Sequence, residues 1–419
     1  MQALRSILQR ILPRSLYRAL LRPYHLLFAF LAALRYGFPA KDMTVIAVTG
    51  TKGKSSVTEM LFHVLSYAGL PAAVAGTISF KILNEEKPNL FKMTMPGRGF
   101  IQRFLREASD KGAKYAVIEV TSEATLQFRH YFLSLDALIF TNLQKEHIES
   151  HGSFENYARA KLSIGTALAR SVKRPRAIIA NADTVHSEPY LELPVEEKLP
   201  FSYIDAYDVE LGPGTATFSY KDARFTLQLP GGFSIMNALA VIKAAEFLGV
   251  PLPKIAEALS DLKRIPGRTE RIDVGQDFQV VVDYAHTPDS LEALYGAYPN
   301  RKICVLGNTG GGRDTWKRPS MGAIADKACD IVILTDEDPY DEDPMKIVHE
   351  MAKGMERTPK IIMDRREAIR AAIAEASTGD SVLITGKGTD PYIMRANGQK
   401  EPWSDAQVVR EELAKLLGK

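Results

Sequence analysis

The sequence predicts an α/β protein built as two successive wound units. Three observations carry that expectation. Short, continuous apolar runs alternate with helix-like stretches from residue 44 onward. The first of those runs empties into a glycine-rich turn, GTKGKSS, and the alternation starts afresh after Pro266-Gly267. Uninterrupted apolar runs of this length suit strands covered on both faces, as in a mainly parallel sheet.

Taken in order, VIAVTG, AAVAGTI, YAVIEV, ALIFTNL and RAIIAN read as buried strands. The stretches SSVTEMLFHVLSYAG and FIQRFLREASDKG between them read as helices, each closing at a glycine. Residues 201–230 alternate apolar and polar more strictly, which predicts antiparallel strands beside the first sheet. The second unit offers QVVVDYA, KICVLGN, DIVILTD and SVLITGKG as its strands. The expected organisation is a helical arm over 1–42, a P-loop-type, mainly parallel ATPase domain over 43–266, and a Rossmann-like domain over 267–419, with the Pro266-Gly267 turn as the boundary. A chain of 419 residues is long enough for these cores.

Composition is that of an ordinary globular protein, with 46% hydrophobic and 25% charged residues. The net charge of +3 conceals an asymmetry. Residues 1–41 hold seven Lys/Arg and no Asp/Glu, so the remainder carries a net charge of −4. Arg10, Arg14, Arg18 and Arg22 recur every four residues and form a basic stripe if helical. Pro13 and Pro23 predict a division into short helices. The run LLFAFLAAL has nine apolar residues, far fewer than the ~20 that cross a bilayer. Two readings of this arm stand side by side: an interfacial helix pair touching anionic lipid, and an arm packed on the body. A nucleic-acid role rests on the basic arm alone, without a base-reading module, and is set aside. The two cysteines, Cys304 and Cys329, sit in apolar surroundings without metal-ligand spacing. They read as buried structural thiols of a reducing compartment, which points to the cytoplasm.

In GTKGKSS, the loop amides and the helix N-terminus that follows form an anion cradle across Gly50, Thr51, Lys52, Gly53, Lys54, Ser55 and Ser56. Lys54 is expected to reach the β/γ-phosphates of ATP and Ser55 to ligate Mg²⁺. The spacing between the glycines is two residues shorter than in the usual P-loop pattern. Glu119 ends an apolar strand, where a lone carboxylate is costly unless it is paired or bound to a metal, so a Mg²⁺ ligand is its natural use. The polar stretch after Asn142 holds His147 and His151, with Lys161 on the helix beyond.

Together these segments are recognisable. Strand-GTKGKS, then IEVTS, then TNLQKEHIESHGSFENYARAK resemble the central domain of the Mur ligases, most closely the MurE-type branch. GGFSIMNALAV, GRTERI, DYAHTPDSL, GGRDTWKRPSMGAIA, TDEDPYDEDP and GKGTD follow in the family's order, so the resemblance spans residues 44 to about 415. It implies an ATP-dependent ligase that activates a carboxylate as an acyl phosphate and joins it to an amino acid. The branch adds the third residue to a muramyl dipeptide in peptidoglycan synthesis. Position by position it implies Lys54, His147 and Lys161 in catalysis, with Lys161 carbamylated. Ser55, Glu119, His147 and Lys161 would hold Mg²⁺. Asn237, Arg268 and Asp283 would serve ATP. Thr94, Thr121, Gln127 and Arg129 would grip the acidic dipeptide end, and Arg313 the α-carboxylate of the amine.

The sequence departs from the pattern in three places. The family's UDP-holding N-terminal domain, roughly a hundred residues, cannot be rebuilt from residues 1–42. The expectation is then that UDP is gripped weakly, that the acid is not a UDP-sugar, or that it is presented at a membrane. Near the acid, Thr121-Ser122-Glu123 replaces SSH, and Thr94-Met95-Pro96-Gly97-Arg98 replaces TTP, with Arg98 offering a carboxylate or phosphate contact. At the amine, Glu337-Asp338-Pro339-Tyr340 stands where diaminopimelate-adding enzymes carry Asp-Asn-Pro-Arg, and Gly386 and Asp390 stand where the family has Gly and Glu. An acidic pocket favours a lysine-like diamine, with meso-diaminopimelate left open. A folylpolyglutamate- or poly-γ-glutamate-like ligase on a non-UDP acid is the alternative enzyme. A non-catalytic membrane-attached scaffold is the alternative from another class. The expected protein is a monomer, cytoplasmic or at the inner face of the membrane.

Overall fold

The computed structural model describes residues 14–97, 99–146, 151–312 and 314–418. The chain forms two compact units. The first gathers the residues up to Gln144 with Phe154–Phe201 and Lys243–Val250; the second gathers Lys145–Ser153, Ser202–Ile242 and Pro251–Lys419.

The first unit begins with helix α1 (Arg14–Arg35). It continues through β1 (Thr44–Thr49), α2 (Lys54–Tyr67), β2 (Ala72–Ala75), β3 (Ser79–Ile82), β4 (Glu85–Pro88), α3 (Phe100–Asp110) and β5 (Tyr115–Glu119). Then come α4 (Ser122–Leu126), β6 (Ala137–Phe140), α5 (Phe154–Ala169), β7 (Ala177–Asn181), α6 (Glu188–Leu191) and β8 (Glu197–Phe201). The strands form one eight-stranded sheet in the order β4-β3-β2-β5-β1-β6-β7-β8. It is parallel from β2 to β8, and β3 and β4 turn back antiparallel at one edge. Central β1 is almost wholly buried, which explains its unbroken apolar run. Its register matters for the site. Val48 lies opposite Glu119 on β5 and Thr49 opposite Phe140 on β6, so these strands end together at the carboxyl edge of the sheet.

In the second unit, β9 (Tyr207–Gly212), β10 (Thr215–Tyr220) and β11 (Ala223–Leu227) make the antiparallel sheet that the alternation of 201–230 predicts. Inward Ala216, Phe218 and Tyr220 of β10 are buried. Helix α7 (Gly232–Phe247) starts in this unit, and α8 (Leu252–Asp261) follows. A six-stranded sheet uses β12 (Glu270–Ile272), β13 (Gln279–Val282), β14 (Lys302–Leu306), β15 (Ile331–Leu334), β16 (Lys360–Ile361) and β17 (Ser381–Ile384). Its order is β12-β13-β17-β14-β15-β16, parallel except for β12. Around it run α9 (Pro288–Gly296), α10 (Lys317–Ala328), α11 (Pro344–Ala352), α12 (Arg365–Ala374) and, after the hairpin of β18 (Tyr392–Met394) and β19 (Lys400–Pro402), α13 (Asp405–Leu416). The fold is thus the mixed α/β architecture expected, with a mainly parallel sheet in each unit.

Two expectations are corrected. Pro23 does not end a helix: α1 runs through it from Arg14 to Arg35. Proline removes one intrahelical donor, and Pro23 is itself exposed, so water can serve the carbonyl left behind. The thirteen residues before α1, Pro13 among them, lie outside the described residues. Cys304 and Cys329 are buried as expected, yet they are not separate thiols: they form a disulfide, with their Cα atoms 6.1 Å apart. Cys304 lies on β14, and Cys329 leads into neighbouring β15, so the fold brings together residues 25 apart in sequence. The pair therefore carries no argument for a reducing compartment.

Candidate active site

Strand β1 delivers the chain to Gly50, whose φ of 146° no side chain would tolerate easily. A Cβ there would stand 1.9 Å from Thr141 Oγ1, so the loop lies directly against the end of β6. The loop is pinned from that side. Lys52 N–H donates to Asn142 Oδ1 at 2.9 Å, and Thr141 Oγ1 donates to Lys52 O at 2.6 Å. Gly53, with φ 79°, caps α2, whose first amides have no carbonyl partner within the helix. This is the strand-turn-helix cradle that GTKGKSS predicts. Lys54 Nζ lies over the loop and donates to Thr51 O at 2.9 Å.

Behind the cradle sits Glu119, 1% exposed. Ser55 Oγ is 3.2 Å from both of its carboxylate oxygens, and Thr77 N–H donates to Oε2 at 2.9 Å. Thr77 Oγ1 in turn meets Thr94 Oγ1 at 2.7 Å. Thr77 escaped the sequence reading. Its only signal was its place just after the β2 run.

Lys161 comes from α5 and is also nearly fully buried. Its Nζ donates to Gly50 O at 2.6 Å and lies 4.9 Å from the Tyr157 ring centroid, while the Tyr157 hydroxyl meets Thr51 Oγ1 at 3.0 Å. Lys161 therefore reaches from α5 to the phosphate loop. Gln127 Oε1 accepts from Arg129 Nη2 at 2.5 Å, and Arg129 Nη1 also donates to Met95 O. Thr121 caps α4 by accepting from Ala124 N–H at 3.3 Å. The first unit thus assembles Gly50–Ser56, Thr94, Glu119, Thr121, Gln127, Arg129 and Lys161. His147 and Arg98 lie outside the described residues.

The second unit holds the other candidates. Asn237 is half-buried on α7. The Arg268 guanidinium lies 4.3 Å from the Tyr284 ring centroid. The Asp283 carboxylate is held by the N–H groups of Thr269 and Ala285, both at 2.6 Å. Asp390's charge, and burial after it, lift the Tyr284 hydroxyl well above its usual range. Glu337 and Asp338 are both buried, each 3% exposed. Asp338 Oδ1 accepts from Lys387 Nζ and from Met394 N–H, each at 2.8 Å. Glu337 Oε1 accepts from Thr309 at 2.9 Å, whereas buried Oε2 has no hydrogen-bond partner. Burial, reinforced by neighbouring Asp338, raises the Glu337 carboxyl above the usual range. Gly386, at φ 103°, is the space beside it: a Cβ there would meet Glu337 Oε2 at 2.3 Å. Arg313 lies outside the described residues.

Comparison with known proteins decides the family. The Mur ligase middle domain matches residues 48–245, and the Mur ligase glutamate ligase domain matches residues 267–388. The UDP-N-acetylmuramoyl-L-alanyl-D-glutamate–2,6-diaminopimelate ligase of Caldanaerobacter subterraneus subsp. tengcongensis is 36% identical over 403 residues, covering 92% of this chain and 81% of that one. The chain belongs to the Mur ligase family. It is therefore an ATP-dependent ligase that forms an amide bond, of the type that builds peptidoglycan precursors. A UDP-N-acetylmuramyl-tripeptide synthetase of Roseiflexus sp. is 37% identical, with the same coverage. Among solved structures, a UDP-N-acetylmuramoyl-L-alanyl-D-glutamate–2,6-diaminopimelate ligase superposes with a TM-score of 0.62 at 29% identity, covering 90% of this chain and 79% of that one. The folylpolyglutamate synthase of Mycobacterium tuberculosis reaches a TM-score of 0.69 at 15% identity, covering 94% and 95%, a likeness of fold alone.

The Mur ligase site fits a nucleotide and a hard cation on its own geometry. The loop lies too close to β6 for a side chain at Gly50, the α2 amides face out of the helix, and Ser55 with Glu119 offers oxygen donors, as Mg²⁺ prefers.

Proposed function

We propose that this Mur ligase joins the free carboxylate of a muramyl-dipeptide-like acid to the amine of a diamino acid. The carrying observation is the buried Glu119 carboxylate, gripped by Ser55 and Thr77 directly behind the phosphate loop. A carboxylate is a poor acylating agent because oxide is a hopeless leaving group. ATP supplies the γ-phosphoryl group that makes it an acyl phosphate, from which the incoming amine expels phosphate. Ser55, Glu119, His147 and a carbamylated Lys161 would hold Mg²⁺, which would supply charge neutralisation.

The chain's own residues supply position and field. Lys54 and the α2 amides hold the β/γ-phosphates, and Asn237, Arg268 and Asp283 serve the rest of ATP. Thr94, Arg98, Thr121, Gln127 and Arg129 orient the acid. Thr121 keeps its capping role meanwhile, so its hydroxyl is the least available of these.

For the amine, Arg313 holds the α-carboxylate, and Glu337 with Gly386, Asp338 and Asp390 forms the side-chain pocket. Asp338 and Asp390 both pair with Lys387, which leaves Glu337 as the receiving carboxylate. A single acid of this kind favours a lysine-like side chain ending in ammonium. The names of the diaminopimelate-adding relatives favour diaminopimelate as the second reading. We take the enzyme to act as a monomer in the cytoplasm, where ATP is.

The test is ADP release over a grid of acids and amines. The acids are UDP-MurNAc-L-Ala-D-Glu, the dipeptide without UDP, and a lipid-linked form; the amines are lysine, ornithine, diaminopimelate and glutamate. Turnover with the UDP-sugar and lysine supports the reading. Turnover only with diaminopimelate moves the amine. Turnover only with glutamate on a non-UDP acid replaces the reading with the folylpolyglutamate-like one, and silence throughout favours a scaffold.

A further inference from the structure

Helix α1 packs on the first unit with its small side chains. Ala33 is fully buried and Ala29 and Ala32 are half-buried, and a Cβ at Gly99 would stand 2.6 Å from Ala32 Cβ. Its large apolar side chains point the other way. Leu27, Leu31 and Leu34 are 54%, 48% and 57% exposed, with Tyr24, Leu26 and Phe28 also exposed. Phe30, itself partly exposed, lies 5.5 Å from the Phe132 ring on the body. A helix recruited to a core would show the reverse polarity. Exposed apolar residues scattered singly are ordinary, but a continuous face of them marks an interaction surface.

A second group of exposed apolar side chains lies on the same unit. Phe100 follows Gly99, and Phe91 lies 5.5 Å from Phe100 with its own side chain exposed, as are those of Leu90 and Met93. Met93 Sδ lies 3.6 Å from Arg129 Nη1, so this second group reaches the residues assigned to the acid.

Charge selects the occupant. Residues 1–41 carry seven Lys/Arg and no acidic residue, while the rest of the chain is net negative. A second copy of α1 would oppose like charge, and an apolar face inside a purely basic segment complements anionic headgroups over acyl chains. No helix among the described residues is long and apolar enough to cross a membrane. We propose that α1 lies flat in the interface of an anionic phospholipid membrane, with Leu27, Leu31 and Leu34 in the acyl boundary and Arg35 among the headgroups. This goes beyond the ligase reading and does not depend on it.

The experiment is co-sedimentation of the full chain with phosphatidylglycerol-containing vesicles and with pure phosphatidylcholine vesicles, alongside its solution mass by light scattering. The wild type pellets with the anionic vesicles, less so as salt rises. The double variant Leu27→Glu/Leu31→Glu binds about tenfold more weakly or worse, and Arg35→Glu weakens binding to the anionic vesicles alone. Because these side chains are exposed, both variants fold and keep soluble ADP release. No pelleting with either vesicle overturns the proposal, as does equal pelleting with both that neither variant alters. A dimeric mass that Leu27→Glu/Leu31→Glu halves assigns the face to self-association instead.

Discussion

Ser55 Oγ sits 3.2 Å from both carboxylate oxygens of Glu119, joining the start of α2 to the end of β5 across 64 residues of sequence. Glu119 ends β5, and Ser55 opens the helix that follows β1, so the β1–β5 register brings the two together. A buried carboxylate with only neutral donors is poised for a cation. Glu119→Gln keeps the shape and removes the charge. Turnover should fall by a factor on the order of 10² or more, with a higher Mg²⁺ requirement and little change in Tm. ADP release titrated with Mg²⁺ checks this, and wild-type Mg²⁺ dependence in the variant would remove Glu119 from the metal site.

Glu337 supplies a prediction about selectivity. Its Oε2 is unpartnered beside Gly386, while Asp338 is neutralised by Lys387. Glu337→Gln should therefore cut kcat/KM for lysine at least about tenfold and leave the KM for ATP unchanged. Asp338→Asn, by contrast, should lower stability, because it leaves the buried Lys387 ammonium with only the more distant Asp390 carboxylate, at 3.6 Å, as counter-charge. Amine competition kinetics together with thermal melts separate the two.

Much of this site was legible in the sequence, and what escaped has a common cause. GTKGKSS, Glu119 at a strand end and the paired wound units all follow from local pattern, because strand, turn and helix each leave a signature within a few residues. Tertiary pairing leaves none. Lys387 meets Asp338 across 49 residues, and Cys304 meets Cys329 through neighbouring elements. Arg318 is completely buried and pairs with Glu342 and Glu350 from later in the chain. Pro23 inside α1 misled for another reason: a helix interior loses one bond at proline but can survive where solvent serves the freed carbonyl. The outward face of α1 was also beyond the sequence, since amphipathicity says which side is apolar and not what it meets.

Arg365 and Asp405 form a fully buried, two-bonded pair, with Nε–Oδ1 at 2.8 Å and Nη2–Oδ2 at 2.7 Å. The guanidinium also serves the carbonyls of Asp336 and Thr385, and Trp403 Nε1 donates to Asp405. Removing one partner strands a charge in the core. Arg365→Met should cost roughly 3–5 kcal/mol, and Arg365→Met/Asp405→Leu should recover part of that. Denaturant melts of the three proteins give the answer, and additive losses would mean that the pair is not coupled.

His130 lies beside Arg129 in chain order but is shut inside the first unit, 1% exposed, with neither ring nitrogen hydrogen-bonded. Burial pushes its pKa down to about 4 from the ordinary 6.5. The folded protein therefore holds the ring neutral where the unfolded chain would protonate it. Between pH 6.5 and about 4 the unfolded state binds more protons, so stability is lost as the pH drops through that window. Above pH 6.5 the contribution is complete; by about pH 4 roughly 3 kcal/mol has been lost. His130→Leu removes the titrating group at similar volume and should flatten the stability profile over that range without altering its shape above pH 7. Urea melts at half-unit pH steps make the comparison. Identical acid slopes in wild type and variant would show that His130 takes its proton in the folded state as easily as in water.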